Sequence, residues 1–407
     1  MSFLERLHLT PTRRLAGWAA LGYALVVCAG AVAGAQIILR ARSRWVPGEF
    51  VPVLRRGNDV LLPLSRETLS GGVVGIMPLL PNKGHAVLGA HTLSGTLVRR
   101  TVQQERGVLP TGSLAWVSSF VYNGTPAQLG IDFESTHVQT DVGEMPAWHV
   151  PATSGERDAI AIVIHGHGGH RAQGLRALPA LQRTGLASLF VTFRNAHGAP
   201  RVGRGYLTLG DQEAEDVVAA LRWAHEMGYR RALLYGFSMG GNIALSALRP
   251  RHGPLPLPVL GVVLDGPALD WRDVIRANGQ RYHLPAFMAR QMGRVVQVLV
   301  RRSSGQDFDA VDQLAAARTF TRPILLFHGT RDGTIPVSQS DRLAAARLDL
   351  VEYHRIEGAK HIRTWNIDPE KYEAAVEAFI HRVMGTLPVL IQPVNTPSTE
   401  LKENSNA

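Results

Sequence analysis

Three kinds of hydrophobic pattern follow one another along the chain. The first is a single uncharged stretch, Leu15 to Leu39 (LAGWAALGYALVVCAGAVAGAQIIL), with Arg13 and Arg14 before it and Arg40, Arg42 and Arg44 after it. At about 1.5 Å per residue, a helix of that length exceeds the ~30 Å hydrocarbon core of a bilayer. It lacks the polar face of a soluble surface helix. The expectation is a transmembrane anchor over 15–39 behind a short N-terminal tail (1–14), projecting from the body with few contacts to it. Two alternatives stand beside it. One is a cleaved signal peptide, because Ala33-Gly34-Ala35 resembles an A-x-A cleavage site; the other is a buried core helix. Arginines on both flanks leave the orientation undecided by charge. A short tail inside and a translocated, extracytoplasmic body is the simpler topology for such a single-pass protein.

The second pattern runs from 45 to about 130. Short apolar runs such as Gly72-Val73-Val74-Gly75-Ile76 are punctuated by Gly and Pro. This predicts an irregular extension with some β structure and no chemistry of its own. The third pattern fills 131–384. Phe133 to Thr140 alternates, Asp141-Val142-Gly143-Glu144 turns, and Met145 to Val150 returns, which predicts a hairpin. Unbroken apolar runs follow at 159–164, 187–193, 232–237, 260–264, 324–327 and 350–355. Helical patterns separate them, such as Asp211 to Met227, whose early carboxylates complement the helix dipole. Continuous apolar strands alternating with helices predict an α/β fold, a mostly parallel sheet covered on both faces.

Between Asp270 and Pro323 this rhythm breaks for a helical cap (270–322). Within it, the stretch Trp271 to Arg302 gathers arginines 272, 276, 281, 290, 294, 301 and 302 against one acid, Asp273. An apolar stripe from Phe287 to Leu299 runs beside Arg290 and Arg294. Such a basic amphipathic helix can rest on anionic lipid or admit acyl substrates; a solvated arginine face over an ordinary cap core is the plainer alternative. The residues from 386 to 407 have the composition of a disordered tail.

Composition narrows the classes of function. The 407 residues, 45% of them hydrophobic, suffice for a large core. A net charge of +10 raises nucleic acid as a partner. No long basic run and no nucleic-acid-binding motif accompanies it, so no nucleic acid is expected, and attraction to a membrane surface is the better use of the charge. The one cysteine, Cys28, lies inside the apolar stretch, so the rest of the chain needs no disulfides.

The chemistry sits at the ends of the predicted strands. HGHGGH, residues 165–170, follows the apolar run 159–164. Three histidines in six positions raise a metal site, but no carboxylate lies in the loop and no second cysteine exists to join them. A Gly-rich loop after a buried strand instead turns backbone N–H groups toward an anion. Leu233 to Leu245 places Gly236-Phe237-Ser238-Met239-Gly240 between a strand and an Ala/Leu helix. Small residues on both sides of the serine suit the tight turn that presents its hydroxyl. A serine needs a base, and the base needs an orienter. Asp332 follows the strand 324–327, and His361 follows the strand Val351 to Arg355. Asp265, in Leu264-Asp265-Gly266-Pro267, is the rival acid.

These residues carry a resemblance. The chain from about 133 to 384 is similar to bacterial α/β-hydrolases of the dienelactone hydrolase and prolyl-oligopeptidase-like esterase groups. The matching pieces are His165-Gly166, Gly236-Phe237-Ser238-Met239-Gly240-Gly241, His328-Gly329-Thr330-Arg331-Asp332 with Ile335-Pro336, and Gly358 to His361. Residues 1 to about 130 fall outside it. The resemblance implies the α/β-hydrolase fold with Ser238 as nucleophile, His361 as general base and Asp332 as its orienter. It places an oxyanion hole at the N–H groups of His167 and Met239, which makes the histidine side chains incidental. No cofactor and no metal are implied. Arg194 and Trp365 are candidate substrate contacts. The expected function is cleavage of a small-molecule carboxylic ester through an acyl-enzyme, with membrane lipid a partner of the N-terminal helix. The same triad also serves thioester or amide cleavage, an acyltransferase or a serine peptidase, and a non-catalytic binding protein is the last alternative.

Overall fold

A computed structural model describes residues 11–40, 48–78, 84–107, 109, 112–154, 158–280 and 285–385. The first part of the N-terminal tail and the whole tail from 386 to 407 lie outside the described residues. The chain opens with helix α1 (Pro11–Leu39), of which Ala20–Leu39 is long and apolar enough to cross a bilayer.

The segment expected to be irregular is instead a closed barrel. Its strands β1 (Glu49–Arg56), β2 (Asp59–Pro63), β3 (Val74–Pro78), β4 (Gly84–Ser94), β5 (Leu97–Gly107) and β6 (Ser113–Ser118) pair antiparallel in the order β1-β2-β5-β4-β3-β6, and β6 returns to β1. Val53, Val60, Leu62, Ile76, Leu88 and Val117 fill it. One inward position hid the alternation. Val98, Arg100 and Val102 all point inward from β5, so a charged residue interrupts the apolar half of the pattern. Arg100 is completely buried. Its guanidinium donates to the carbonyls of Thr68, Ser70, Gly72 and Gly89, tying loop 65–72 to the barrel.

The remainder is built on one twisted sheet. A hairpin, β7 (Glu134–Thr140) and β8 (Gly143–Val150), leads to β9 (Ala159–Ile164), α2 (Leu178–Arg183), β10 (Ala187–Val191), α3 (Glu213–Glu226), β11 (Arg231–Phe237), α4 (Met239–Ala247) and β12 (Val259–Asp265). Two helices, α5 (Trp271–Gln280) and α6 (Ala286–Ser304), occupy the region read as a cap. The chain then returns through β13 (Ile324–Gly329), α7 (Ser338–Ala346), β14 (Val351–Ile356), α8 (Thr364–Ile367) and α9 (Pro369–Met384). The sheet order is β14-β13-β12-β11-β9-β10-β8-β7, parallel from β14 to β10 and antiparallel at the hairpin edge. Within the unbroken apolar strands, alternate residues serve opposite faces. Ile160, Ile162 and Ile164 pack with α3 and α4, whereas Ala159, Ala161 and Val163 pack with α2 and α9. Apolar cover on both faces is why these strands show no polar alternation.

Helix α1 is continuous, but it does not project. Val27, Ala31, Ala35 and Leu39 are buried against the body. The absent side chains of Gly30 and Gly34 admit Met292 and Val296 of α6. Small residues over two turns let the backbones approach, and this is the physical reason the expectation of few contacts fails. The opposite face stays open, with Trp18, Leu21, Leu25, Val26, Val32 and Ile37 all at least half exposed. The C-terminal turn of α1 is fastened: the carbonyl of Leu39 accepts from Leu207 N at 2.7 Å, and Arg40 bridges to Tyr206.

The barrel is joined to the sheet domain through α8. Asn366 Nδ2 donates to the carbonyls of Val73 (2.7 Å) and Ser119 (2.8 Å), and its own carbonyl accepts from Val73 N (2.9 Å). Replacing Arg100 leaves buried carbonyls unpaired, each costing on the order of 1–3 kcal/mol. Arg100→Met is expected to lower stability by about 3 kcal/mol or more. Urea unfolding checks this, and an unchanged midpoint would show the arginine to be dispensable.

Candidate active site

Ser238 sits where β11 turns into α4, at φ 55° and ψ −117°, a conformation that L-residues rarely adopt. The glycines on either side make the turn possible. A Cβ on Gly236 would lie 2.4 Å from the carbonyl oxygen of Gly240, and one on Gly240 would lie 2.3 Å from that of Ile164. Neither position has room for a methyl group. The Ser238 backbone is pinned by its N–H to the carbonyl of Asp265 at 3.0 Å.

The loops after β13 and β14 bring two more side chains to this turn. His361 Nε2 lies 2.9 Å from Ser238 Oγ, and His361 Nδ1 lies 2.6 Å from Asp332 Oδ2. These partners place the proton on Nδ1 and leave Nε2 to accept from the serine hydroxyl. The other oxygen of Asp332 accepts from the N–H groups of Thr334 (2.7 Å) and Ile335 (2.9 Å). Burial would raise the Asp332 carboxyl, but charge on His361 and hydrogen bonds from His328 and His361 outweigh it. The carboxyl is held well below the usual carboxylate range. His328, quoted in the motif with Asp332 but given no role there, also belongs to the site. Its Nε2 is 3.2 Å from Asp332 Oδ2, and its Nδ1 accepts from Ser340 Oγ at 2.7 Å.

Asp265, the rival acid, faces elsewhere. It is fully buried and accepts from Thr364 Oγ1 at 2.7 Å and Tyr372 Oη at 3.4 Å. Burial raises its pKa against the opposing charge of Arg176. Gly266, at φ 56°, is what β12 presents to the pair; a Cβ there would meet Asp332 Oδ2 at 3.4 Å and His361 Nδ1 at 3.5 Å.

HGHGGH lies against the same turn. A Cβ on Gly166 would come within 2.9 Å of Ser238 Cβ, so His167 begins the stretch beside the hydroxyl. Gln173, another residue without a sequence signal, pins the loop by accepting from Gly166 N at 2.7 Å. The imidazoles turn to separate partners. His165 Nδ1 donates to the Gly166 carbonyl (2.9 Å) and stacks on Phe193, His167 Nε2 donates to the Ile38 carbonyl of α1 (2.8 Å), and His170 Nδ1 accepts from Ala172 N (3.3 Å). Among the described residues no cluster of His, Cys, Asp and Glu is placed to hold a metal ion. The ring of His167 is not incidental, since it joins the loop to the end of α1.

Two expected substrate contacts are instead internal. Arg194 is buried in an ion pair with Asp216 (Nη2 to Oδ1, 2.7 Å) and reaches Asp141 at 2.6 Å. These partners stand 22 and 53 residues away in the chain, which no local pattern reveals. Trp365 is buried in the core under α9 and donates to Glu373 Oε1 at 2.8 Å.

With this geometry in view, comparison with known proteins is direct. The Alpha/beta hydrolase family matches residues 161–375, and the chain belongs to that family. It is 25% identical over 244 residues to Rv2307c, an uncharacterized protein of Mycobacterium tuberculosis, covering 59% of this chain and 74% of that one. A puromycin-hydrolyzing peptidase of Mycobacterium tuberculosis superposes with a TM-score of 0.51 at 18% identity, over 84% of this chain and 48% of that one. The Pyrococcus furiosus esterase Pf2001 superposes with a TM-score of 0.49 at 22% identity, over 64% of this chain and 96% of that one. At these identities the likeness to solved structures is one of fold.

Two histidines of this loop give the site a pH signature. Burial pushes His165 down to about 4 and His170 to about 3, with Arg171 and neighbouring histidines adding to the effect. Both are neutral in the folded protein at pH values where the unfolded chain, titrating near 6.5, takes up protons. The contribution of these two histidines to stability is therefore full above about pH 6.5, falls as pH drops through 4, and levels off below their folded values. His165 alone accounts for about 3 kcal/mol of that loss. Urea unfolding across this range checks it, and His165→Asn is expected to flatten the slope.

Proposed function

We propose that the protein is a serine hydrolase that cleaves a carboxylic ester through an acyl-enzyme, held at a membrane by α1. The observation that carries the reading is the pair of contacts at His361, 2.9 Å to Ser238 Oγ and 2.6 Å to Asp332, made at a strained turn. In this reading Ser238 Oγ attacks the ester carbonyl while His361 Nε2 takes its proton. Asp332, kept ionised, stabilises the imidazolium and fixes its tautomer. The oxyanion is received by the N–H of Met239, the first residue of α4, where helix amides lack intrahelical partners, and by the N–H of His167. Each such donor is worth about 3 kcal/mol in the transition state. His361 then protonates the departing alcohol, leaving acyl-Ser238. A water attacks that ester as His361 takes its proton, and the carboxylic acid leaves with the serine restored.

A fluorophosphonate probe and p-nitrophenyl esters of graded chain length test this. The wild-type protein is expected to label at Ser238 and to turn over at least one ester, with both activities lost in Ser238→Ala. Asp332→Asn is expected to lower kcat by about 10³–10⁴-fold, since the amide presents the wrong hydrogen-bonding pattern to His361. Labelling that survives in Ser238→Ala, or a wild-type protein inert to both reagents, would sink the proposal.

A further inference from the structure

The packing of α1 bears on how it meets a membrane. α6 runs beside it from Tyr23, whose hydroxyl bonds Gln291, to Gly34, which faces Val296. Beyond that, Leu39 is buried and held by Leu207. Ahead of Tyr23 the described side chains are open: Trp18 and Leu21 are at least half exposed, and a Cβ on Gly22 would meet nothing. From Pro11 to Gly22 that is about 18 Å of helix, well short of a ~30 Å hydrocarbon core.

α6 cannot accompany α1 across a bilayer. It contains no acid, and Arg290, Arg294, Arg301 and Arg302 are all exposed. Among the described residues none of the four has a carboxylate partner. Arginine is strongly disfavoured at the bilayer centre. Drawing α1 away alone would strip the cover from Met292 and Val296 and undo the bonds at its C-terminal turn. Yet the outer face of α1 is apolar and open. On α6, exposed Phe287, Arg290, Arg294, Val298 and Arg301 recur at three- and four-residue spacing, so they share one face. An open groove between the helices, bordered by Val27, Cys28, Gln291 and Arg294, joins that face to α1. The combination of an apolar floor and an unpaired basic rim matches the interface of an anionic bilayer.

We propose that α1 and α6 form one docking face that seats the protein on an anionic bilayer, with α1 lying along the lipid interface and not across it. This rests on the reading of α1 as the membrane element and is independent of the ester chemistry. The test uses the full chain, purified in detergent and transferred to vesicles of phosphatidylcholine with or without phosphatidylglycerol. A bimane label is placed on native Cys28 and, in a Cys28→Ser background, on Trp18→Cys or Ile37→Cys. Shallow and deep nitroxide lipids report the depth of each.

All three positions are expected at one shallow depth, roughly 5–10 Å into the headgroup–acyl boundary. A profile with position 28 deepest and positions 18 and 37 near opposite surfaces would overturn the proposal in favour of a span. In a second arm, substituting all four arginines by glutamine is expected to weaken association with phosphatidylglycerol vesicles about 10²–10³-fold, roughly fivefold for each charge. Association with phosphatidylcholine alone should change little, and the thermal transition of the variant serves as the fold control. Binding indifferent to both phosphatidylglycerol and the substitutions, or a stable dimer that ignores vesicles, would equally refute it. Neither arm reads hydrolysis, so failure here is separable from failure of the enzymatic reading.

Discussion

In the first turn of α4 the backbone of Gly240 lies so close to the carbonyl of Ile164 that a single added carbon would overlap it. That approach is the constraint on which the site is built. It sets the first turn of α4 against the end of β9, and so places HGHGGH beside Ser238. Ser238 takes its unusual backbone angles at the same turn, at a cost of about 1–3 kcal/mol borne by the surrounding fold. The parallel register of β9, β11, β12, β13 and β14 delivers the remaining loops to the same edge. His361 and Asp332 meet the serine because their strands end at that edge, although 123 and 29 residues separate the bonded pairs.

The convergence of Ser238, Asp332 and His361 was legible because each follows an apolar run that makes a strand, and parallel strands end on one side. The hairpin at 133–150 and the helix near 211–227 were legible for a similar reason: their signals are local periodicities. What escaped the sequence depended on distant partners. Arg194 has the composition of a substrate-binding residue, and only the fold reveals Asp216 and Asp141 closing around it. Trp365 belongs to a core assembled from α8, α9 and the sheet. In β5 the apolar half of the alternation is broken by Arg100, for which three loop carbonyls and that of Gly89 in β4 stand in for apolar neighbours. Gln173 and His328 act by single hydrogen bonds to the site, and no spacing rule identifies such bonds in advance.

The N-terminal helix shows the same limit at larger scale. Its hydropathy is a property of the segment alone, while its environment depends on α6. Gly30 and Gly34 contribute almost nothing to hydropathy, yet they decide the packing by leaving space for Met292 and Val296. Ile38 extends the connection to the site, since its carbonyl receives the ring of His167. The boundary between an anchor and a catalytic body, drawn naturally from composition, does not coincide with a boundary in the packing.

That seam has a consequence for the order in which the molecule is put together. α1 is synthesised before α6, which begins at Ala286, roughly 250 residues later. At about 5–20 residues per second of translation, the small-residue face of α1 waits on the order of 10–50 s for the helix that covers it. Throughout that interval Gly30 and Gly34 have no partner from α6, whereas the Leu39 carbonyl waits a shorter time, until Leu207 is made. The face of α1 that receives Met292 and Val296 is thus made long before the helix that covers it.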